Sequence, residues 1–209
     1  MVRMTETNLA TRPTVPTGAD SGSAEPLHLA VIAGSVRDQR MSRAVAEWAA
    51  FRAATGAVEV DLIDCAEADL PDDGALRPGG GETSTVAGRI DAADAFVIVT
   101  PEYNHSYPAG LKRLIDWHYR EWMFKPATIL SYGVQGGLLA AEHLRGVFAE
   151  LHVVTTRRVV GLSRPWEHLG ATGFQPPAPV GEAFDAALHE LAWWATTLRA
   201  ARRDRPYAR

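Results

Sequence analysis

The chain has 209 residues, of which 46% are hydrophobic and 22% are charged, and its formal net charge is -4. A chain of this length can bury one sizeable core, and so mild a charge argues against a protein that binds nucleic acid through phosphate contacts. The only cysteine (Cys65) and the scattered histidines lack the spacing of a metal site. With one cysteine no internal disulfide can form, which suits a cytoplasmic location. No apolar run reaches the roughly 20 residues that span a membrane.

The first half of the chain begins with residues 1–26, which are rich in Thr, Pro, Ser and Gly. We expect them to form a disordered extension before one domain at 27–209. From residue 27, short apolar runs alternate with longer amphipathic ones, as strands alternate with helices. This pattern predicts, in order, a strand at 27–33, a helix with Met41, Val45, Trp48 and Ala49 on its apolar face, an edge strand at 57–63, a helix at 82–92, a strand at 94–100 and a helix from Pro108 to about Trp122.

The second half continues the alternation. It predicts a strand at 127–132, a helix at about 138–151, a strand at 152–160, a long loop at 161–180 with four prolines, and a final helix at about 182–203. Five strands separated by helices indicate an α/β fold, with a five-stranded parallel sheet covered on both faces. The common strand order at this size is 2-1-3-4-5, in which the loops after the first and third strands form the two walls of one crevice.

The loop after the first strand has the composition of an anion site. Gly34 allows a tight turn, and the hydroxyls of Ser35 and Ser42 can accept or donate hydrogen bonds. Arg37 adds a positive fork, and the next helix offers free amides, so the loop suits a phosphate or sulfate group. It matches neither the Walker loop nor the dinucleotide fingerprint, because their glycine spacings are absent. The alternative is an ordinary turn with solvated arginines.

Two further loops follow strands at the same predicted edge. The loop after the third predicted strand holds Pro101, Glu102, Tyr103 and Asn104, whose backbone amides can bind the polar edge of a flat heterocycle while Tyr103 packs against it. The loop after the fourth predicted strand, at 131–137, places small residues where the backbone can approach a ligand closely. Either loop alone could be a tight structural turn, but three such loops at one edge predict a binding site.

Three motifs give the chain a family resemblance over roughly residues 27–160. They are GSxR at 34–37, PEYN at 101–104 followed by PAxLKxxxDW at 108–117, and SxGxxGG at 131–137. With them the chain resembles the NAD(P)H-dependent FMN reductases, which have the flavodoxin-like three-layer fold. The resemblance implies that Ser35, Arg37 and Ser42 hold the FMN phosphate at the turn of Gly34. It also implies that the residues of two other loops contact the ribityl chain and isoalloxazine: Pro101, Glu102, Tyr103, Asn104, Ser131 and Gly133.

The implied reaction is hydride transfer from NADPH or NADH to the flavin and then to an acceptor such as free FMN, a quinone, an azo dye or a metal ion. The flavin carries the chemistry, so no side chain is assigned a catalytic role. Arg37, Arg40 or Arg43 could pair with the 2′-phosphate of NADPH, but a solvated helix face is the favoured interpretation of Arg40 and Arg43. Two other functions stay open, a non-enzymatic FMN electron carrier and a flavodoxin-like interaction protein without a cofactor.

The family resemblance also implies a homodimer or homotetramer with flavin sites near a subunit interface. Residues 117–124 carry more aromatic side chains than one buried helix face requires. Exposed aromatic surface often marks a contact between proteins, so we expect this segment to lie at that interface. Core packing is the alternative.

Overall fold

A central sheet of five parallel strands organises the computed structural model, which describes residues 25–77 and 84–207. The strands are β1 (Leu27–Ala33), β2 (Val58–Asp64), β3 (Ala95–Pro101), β4 (Pro126–Gly133) and β5 (Val154–Ser163). They lie in the order β2-β1-β3-β4-β5, which confirms the predicted fold class. The apolar β1 and β3 are central, where both faces of a strand are buried, and β2 with its Glu59 and Asp61 is at an edge.

Helices cover both faces of the sheet. They are α1 (Met41–Ala53), α2 (Ala87–Ala92), α3 (Ala109–Asp116), α4 (Leu138–Glu150) and α5 (Ala178–Asp204). One core cluster joins α1 and α5 to the sheet through side chains such as Val45 and Phe184. A second cluster joins α2, α3 and α4 to the opposite face through Ile90, Leu114 and Phe148. The result is the predicted three-layer sandwich.

Two predicted helices are shorter than expected. The prediction for 82–92 is wrong at its start, because α2 begins at Ala87, and residues 82–83 lie outside the described residues. The helix predicted from Pro108 to Trp122 ends at Asp116, and Pro108 is its extended N-cap residue. Beyond it, the Trp117 indole turns away to donate a hydrogen bond to Asp73 at 3.2 Å.

The segment predicted as a loop at 161–180 has structure of its own. Strand β5 continues to Ser163, a 3-10 turn spans Pro165–His168, and a short hairpin pairs β6 (Leu169–Gly170) with β7 (Gly173–Phe174). Phe174 anchors the hairpin by packing edge-on against Trp48 of α1, with ring centroids 6.0 Å apart.

The expectation that residues 117–124 expose aromatic side chains is wrong for the two tryptophans. Trp117 and Trp122 are buried within the chain itself, while Tyr119 and Phe124 are partly exposed. Trp122 packs against Phe96 of β3 and Phe148 of α4, with ring centroids 4.6 and 5.8 Å away. Core packing, the alternative interpretation, therefore accounts for the tryptophans.

The start of the described chain is held in place. The backbone carbonyls of Glu25 and Pro26 accept hydrogen bonds from Arg199 of α5 at 3.0 and 2.9 Å. Residues 1–24 of the predicted extension lie outside the described residues. Within residues 25–77 and 84–207, no helix is both long enough and apolar enough to cross a membrane.

Candidate active site

Three loops meet at the carboxyl edge of the sheet, as the strand order predicts. The strand pairing places Ala33 beside Val99, Thr100 beside Ser131, and Gly133 beside Ser163. The first loop (residues 34–40), the second loop (residues 102–108) and the third loop (residues 134–137) therefore leave the sheet side by side.

Gly34 begins the first loop at a point where the chain has no room for a side chain. Its amide donates a hydrogen bond to the Val99 carbonyl at 2.8 Å. A Cβ atom at this position would lie 3.0 Å from that carbonyl oxygen and 3.1 Å from Leu111 Cδ2. The turn thus depends on close packing between the first loop, β3 and α3.

Two buried hydroxyls organise the first loop. The Ser35 amide donates to Ser42 Oγ at 3.3 Å, and the Arg37 amide donates to Ser35 Oγ at 3.4 Å. The phenol of Tyr132 hydrogen-bonds Ser42 from β4, and burial raises the pKa of Tyr132, so the phenol stays protonated. Ser42, at the start of α1, therefore holds Ser35 in place, and Tyr132 in turn contacts Ser42.

A direct contact joins the first and second loops. Ser35 Oγ and the Tyr103 hydroxyl are 2.7 Å apart. The Arg37 guanidinium lies over the Tyr103 ring, with Cζ 3.6 Å from the ring centroid, which is close enough for a cation–π interaction. Three predicted site residues from two loops are thus brought together as one cluster.

The second loop is a tight turn with an unusual backbone. Tyr103 and Ser106 exchange backbone hydrogen bonds of 2.8 and 3.1 Å, and the two residues between them both have positive φ. These are Asn104 at 51° and His105 at 62°, a conformation that asparagine tolerates better than most residues and that is rare for other residues except glycine. Both side chains are exposed at the mouth of the crevice, while Pro101 is buried at the end of β3.

Glu102 and Ser131 shape the third loop. The Glu102 carboxylate accepts a hydrogen bond from the Leu139 amide at 3.1 Å, at the start of α4. The Ser131 hydroxyl is fully buried and donates to the Gly136 carbonyl at 2.8 Å. Gly133 borders the same loop, because a Cβ placed on it would lie 3.6 Å from Glu102 Cβ.

Arg40 is mostly buried, contrary to the favoured interpretation, whereas Arg43 stays partly exposed on the helix face. Arg40 Nη2 lies 2.8 Å from the buried carboxylate of Asp64, at the end of β2. Arg43 pairs with Glu47 at 2.7 Å and with Glu67 at 2.8 Å, and its Nη1 lies 3.4 Å from Asp64. Sequence analysis missed Asp64 as well as Tyr132, although both stand at strand ends on the predicted edge.

The cluster has the chemistry of an anion site beside a planar-ligand site. The N-cap residue of α1, Arg40, makes no side-chain capping hydrogen bond. The Ser42 amide already bonds the Tyr132 hydroxyl, which leaves the neighbouring amides of the first turn for another acceptor. Hydroxyls, a guanidinium and these amides fit a phosphate group, and the positive-φ turn beside Tyr103 offers backbone groups to a flat heterocycle. FMN combines both features.

A separate cavity of about 30 Å³, near the start of β1 under α5, has an almost wholly apolar lining.

A parallel sheet in this strand order, with a ligand crevice at its carboxyl edge, defines a flavodoxin-like α/β protein. The sequence model of the NADPH-dependent FMN reductase family matches residues 27–167. The chain belongs to that family. It is an oxidoreductase that uses FMN and NAD(P)H. The two alternative functions, an electron carrier and a cofactor-free interaction protein, are not favoured.

Individual relatives agree with this assignment. The chain is 37% identical over 145 residues to an NAD(P)H-dependent FMN reductase of Schizosaccharomyces pombe, which covers 64% of this chain and 72% of the relative. It is 35% identical over 144 residues to a quinone reductase of Escherichia coli K12, covering 64% and 76%. Among solved structures, the flavoenzyme FerB of Paracoccus denitrificans shares the fold with a TM-score of 0.66 and 23% identity, covering 82% of this chain and 98% of FerB.

Proposed function

We propose that residues 27–209 form one FMN-binding domain, that the crevice between the first and second loops holds FMN, and that the enzyme reduces small quinones with NADPH or NADH. The contact that carries this proposal is the 2.7 Å hydrogen bond between Ser35 and Tyr103. It joins the hydroxyl-rich loop at the start of α1 to the turn that follows β3. Quinone is favoured as the acceptor because one of the relatives is named a quinone reductase.

The phosphate of FMN is assigned to the first loop. Gly34 permits the turn, Ser35 and Ser42 supply hydroxyls, and Arg37 supplies positive charge. Arg37 already lies at the crevice, over the Tyr103 ring. Charge-assisted hydrogen bonds from a guanidinium to phosphate are about twice as strong as neutral ones, so Arg37 is the main attraction for the anion.

The ribityl chain and isoalloxazine are assigned to the second and third loops. The side chains and backbone that line this part come from Pro101, Glu102, Tyr103, Asn104, Ser131 and Gly133. Bound FMN supplies the hydride-transfer chemistry between nicotinamide and acceptor. The protein binds and orients, and the hydrogen bonds of Glu102 and Ser131 within the third loop keep that wall rigid.

The experiment combines turnover with flavin binding. We expect the purified protein to oxidise NADPH or NADH when a benzoquinone is present, more strongly with added FMN. Tyr103→Phe keeps the ring but removes the hydroxyl that bonds Ser35, so the Kd for FMN should rise about fivefold to tenfold. Tyr207→Phe, the same change at an exposed site on the opposite edge of the sheet, is the matched control and should leave the Kd unchanged.

Three results would count against the proposal. A protein that binds FMN but oxidises neither nicotinamide would act as an electron carrier. A protein that gains no flavin spectrum on addition of FMN would have no redox role. An unchanged Kd in both Tyr103→Phe and Asn104→Ala would place the flavin elsewhere.

We infer that the enzyme is a homodimer or homotetramer with its crevice near the subunit contact. Support comes from exposed apolar side chains beside the third loop, at Val134, Leu138 and Leu139. Large apolar groups clustered next to a polar site often mark a contact surface. Analytical ultracentrifugation of the wild type and of Leu138→Glu tests this inference, and a wild-type monomer would contradict it.

We propose that the protein resides in the cytoplasm. Its single cysteine cannot form an internal disulfide, and burial raises the pKa of the Cys65 thiol, which keeps it unreactive. Cell fractionation followed by immunoblotting tests the location, and recovery outside the cytoplasmic fraction would contradict it.

A further inference from the structure

A buried ion pair lies directly beneath the first loop. Asp64 is the last residue of β2 and pairs with Ala33, the last residue of β1, so it stands next to the point where the first loop begins. Its side chain is completely buried. Arg40 donates to its Oδ2 from Nε at 3.3 Å and from Nη2 at 2.8 Å, and Arg43 Nη1 donates to the same oxygen at 3.4 Å. Oδ1 accepts from the Ala66 amide at 3.0 Å.

Arg40 occupies the other end of the same loop. It is the N-cap residue of α1 and precedes Ser42 by two positions. Its guanidinium also reaches back to the Arg37 carbonyl, with Nη1 at 3.5 Å. One side chain therefore fastens the start of α1 and the middle of the loop to the end of an edge strand.

This pair differs from the other ion pairs on β2. Arg89 also donates to the carboxylate of Asp61 and to the carbonyl of Leu62 on that strand. The side chains of Arg89 and Asp61, however, are about half exposed. An exposed pair contributes little to conformation, whereas a desolvated carboxylate tolerates only an arrangement that keeps it paired. The Arg40–Asp64 pair can therefore fix the shape of the first loop.

We propose that Arg40 and Asp64 are positioning residues for the phosphate of FMN, and that they act through the loop without touching the cofactor. This inference rests on the proposed FMN site. The hydroxyls of Ser35 and Ser42 and the guanidinium of Arg37 can converge on one phosphate only if residues 35–42 keep their shape. Loss of the pair should therefore weaken the binding of FMN and leave the binding of riboflavin, which has no phosphate, unchanged.

The test compares the two flavins by fluorescence titration of the flavin-free protein. Arg40→Lys keeps the charge but loses the fork that holds Asp64 and the Arg37 carbonyl together. We expect its Kd for FMN to rise about tenfold and its Kd for riboflavin to stay within about twofold of the wild type. Arg89→Lys makes the same change in the exposed pair of β2 and should alter neither Kd.

A double variant protects the test against a failure of Arg40→Lys to fold. Arg40→Gln with Asp64→Asn removes both charges at once, so the net charge near the loop is unchanged, and it should show the same selective loss of FMN. The inference is wrong if the FMN and riboflavin affinities fall together, or if neither falls. If the wild type binds riboflavin as tightly as FMN, the proposed phosphate site itself is wrong, and the inference falls with it.

Discussion

The two edges of the sheet use similar polar residues in opposite ways. At the amino edge, where the strands begin, buried charges are paired with groups from the chain itself. At the carboxyl edge one buried charge, Asp64, is paired with Arg40 in the same way, but hydroxyls, a guanidinium and turn residues with positive φ gather next to it around an open crevice. The difference supports our proposal that the carboxyl edge binds the cofactor, while the amino edge stabilises the fold.

Asp94 and Lys125 show how fully the amino edge is satisfied. Asp94, just before β3, accepts from Arg199 at 3.2 Å, from Arg202 at 3.0 Å and from the His28 amide at 3.2 Å. Lys125, just before β4, donates to the carbonyls of Ile90 and Asp91 at 3.0 and 2.6 Å. Both side chains are buried and already bonded to groups of the chain, although they are as charged as those of the crevice.

The largest expected effect is at Asp94. Asp94→Asn leaves Arg199 and Arg202 without a counter-charge in a mostly buried site, so we expect the free energy of unfolding to fall by about 3 kcal/mol. Urea unfolding measures the change, and flavin titration should show an unaltered Kd for FMN. Asp204→Asn is the control, because Asp204 lies at the exposed end of α5, the helix that carries Arg199 and Arg202. It should change neither the free energy of unfolding nor the Kd for FMN. A weakened affinity for FMN in Asp94→Asn would break the division between the edges.

A backbone change at the carboxyl edge comes next. Gly137 has φ of +73°, and a Cβ there would lie 2.7 Å from the Tyr132 nitrogen and 2.8 Å from its oxygen. Gly137→Ala should therefore destabilise the protein by about 2 kcal/mol and also weaken FMN binding, because the third loop must shift. Gly146→Ala lies within α4 in open space and should raise the free energy of unfolding by up to about 1 kcal/mol. Equal effects in the two variants would contradict the strain at Gly137.

The smallest expected effect is a pH dependence at the amino edge. Burial lowers the pKa of Lys125 to about 8, whereas a lysine in the unfolded chain has a pKa of about 10.4. Between these values the unfolded state binds more protons, so the free energy of unfolding rises with pH. We expect Lys125 to contribute a rise of about 1 kcal/mol between about pH 7 and pH 9.

The Lys125→Met variant isolates this contribution. At each pH, the free energy of unfolding of the variant is subtracted from that of the wild type. The difference cancels the effect of every other titrating group. The difference should grow in favour of the wild type as the pH rises. A difference that stays constant would show that Lys125 keeps an ordinary pKa in the folded protein.

The fold was predictable because local signals and topology agree. Buried strands such as β1 and β3 are continuous apolar runs, and only a few strand orders are compatible with right-handed crossovers. The boundaries of helices were less predictable. The helix after Pro108 ends at Asp116, and the next residue, Trp117, bonds Asp73 through its indole, a contact between distant residues that no local pattern encodes.

The site was predictable at the level of loops but not of contacts. Strand ends on one edge bring Ser35, Arg37 and Tyr103 together, and the structure joins all three. The sequence did not reveal that Arg40 pairs with Asp64, because the two lie 24 positions apart and meet only once β1 and β2 are aligned. The assignment of each residue to a part of FMN stays a prediction.

The hydrogen bonds between Arg199 of α5 and residues 25–26 have a practical consequence for handling the enzyme. Arg199 holds residues 25 and 26, and Tyr207 packs against Phe124 with ring centroids 4.8 Å apart. Residues 25, 26 and 207 therefore lie at the edge opposite the crevice. A surface linker attached at one of these positions would leave the crevice facing outward, so immobilised protein should keep access to its substrates.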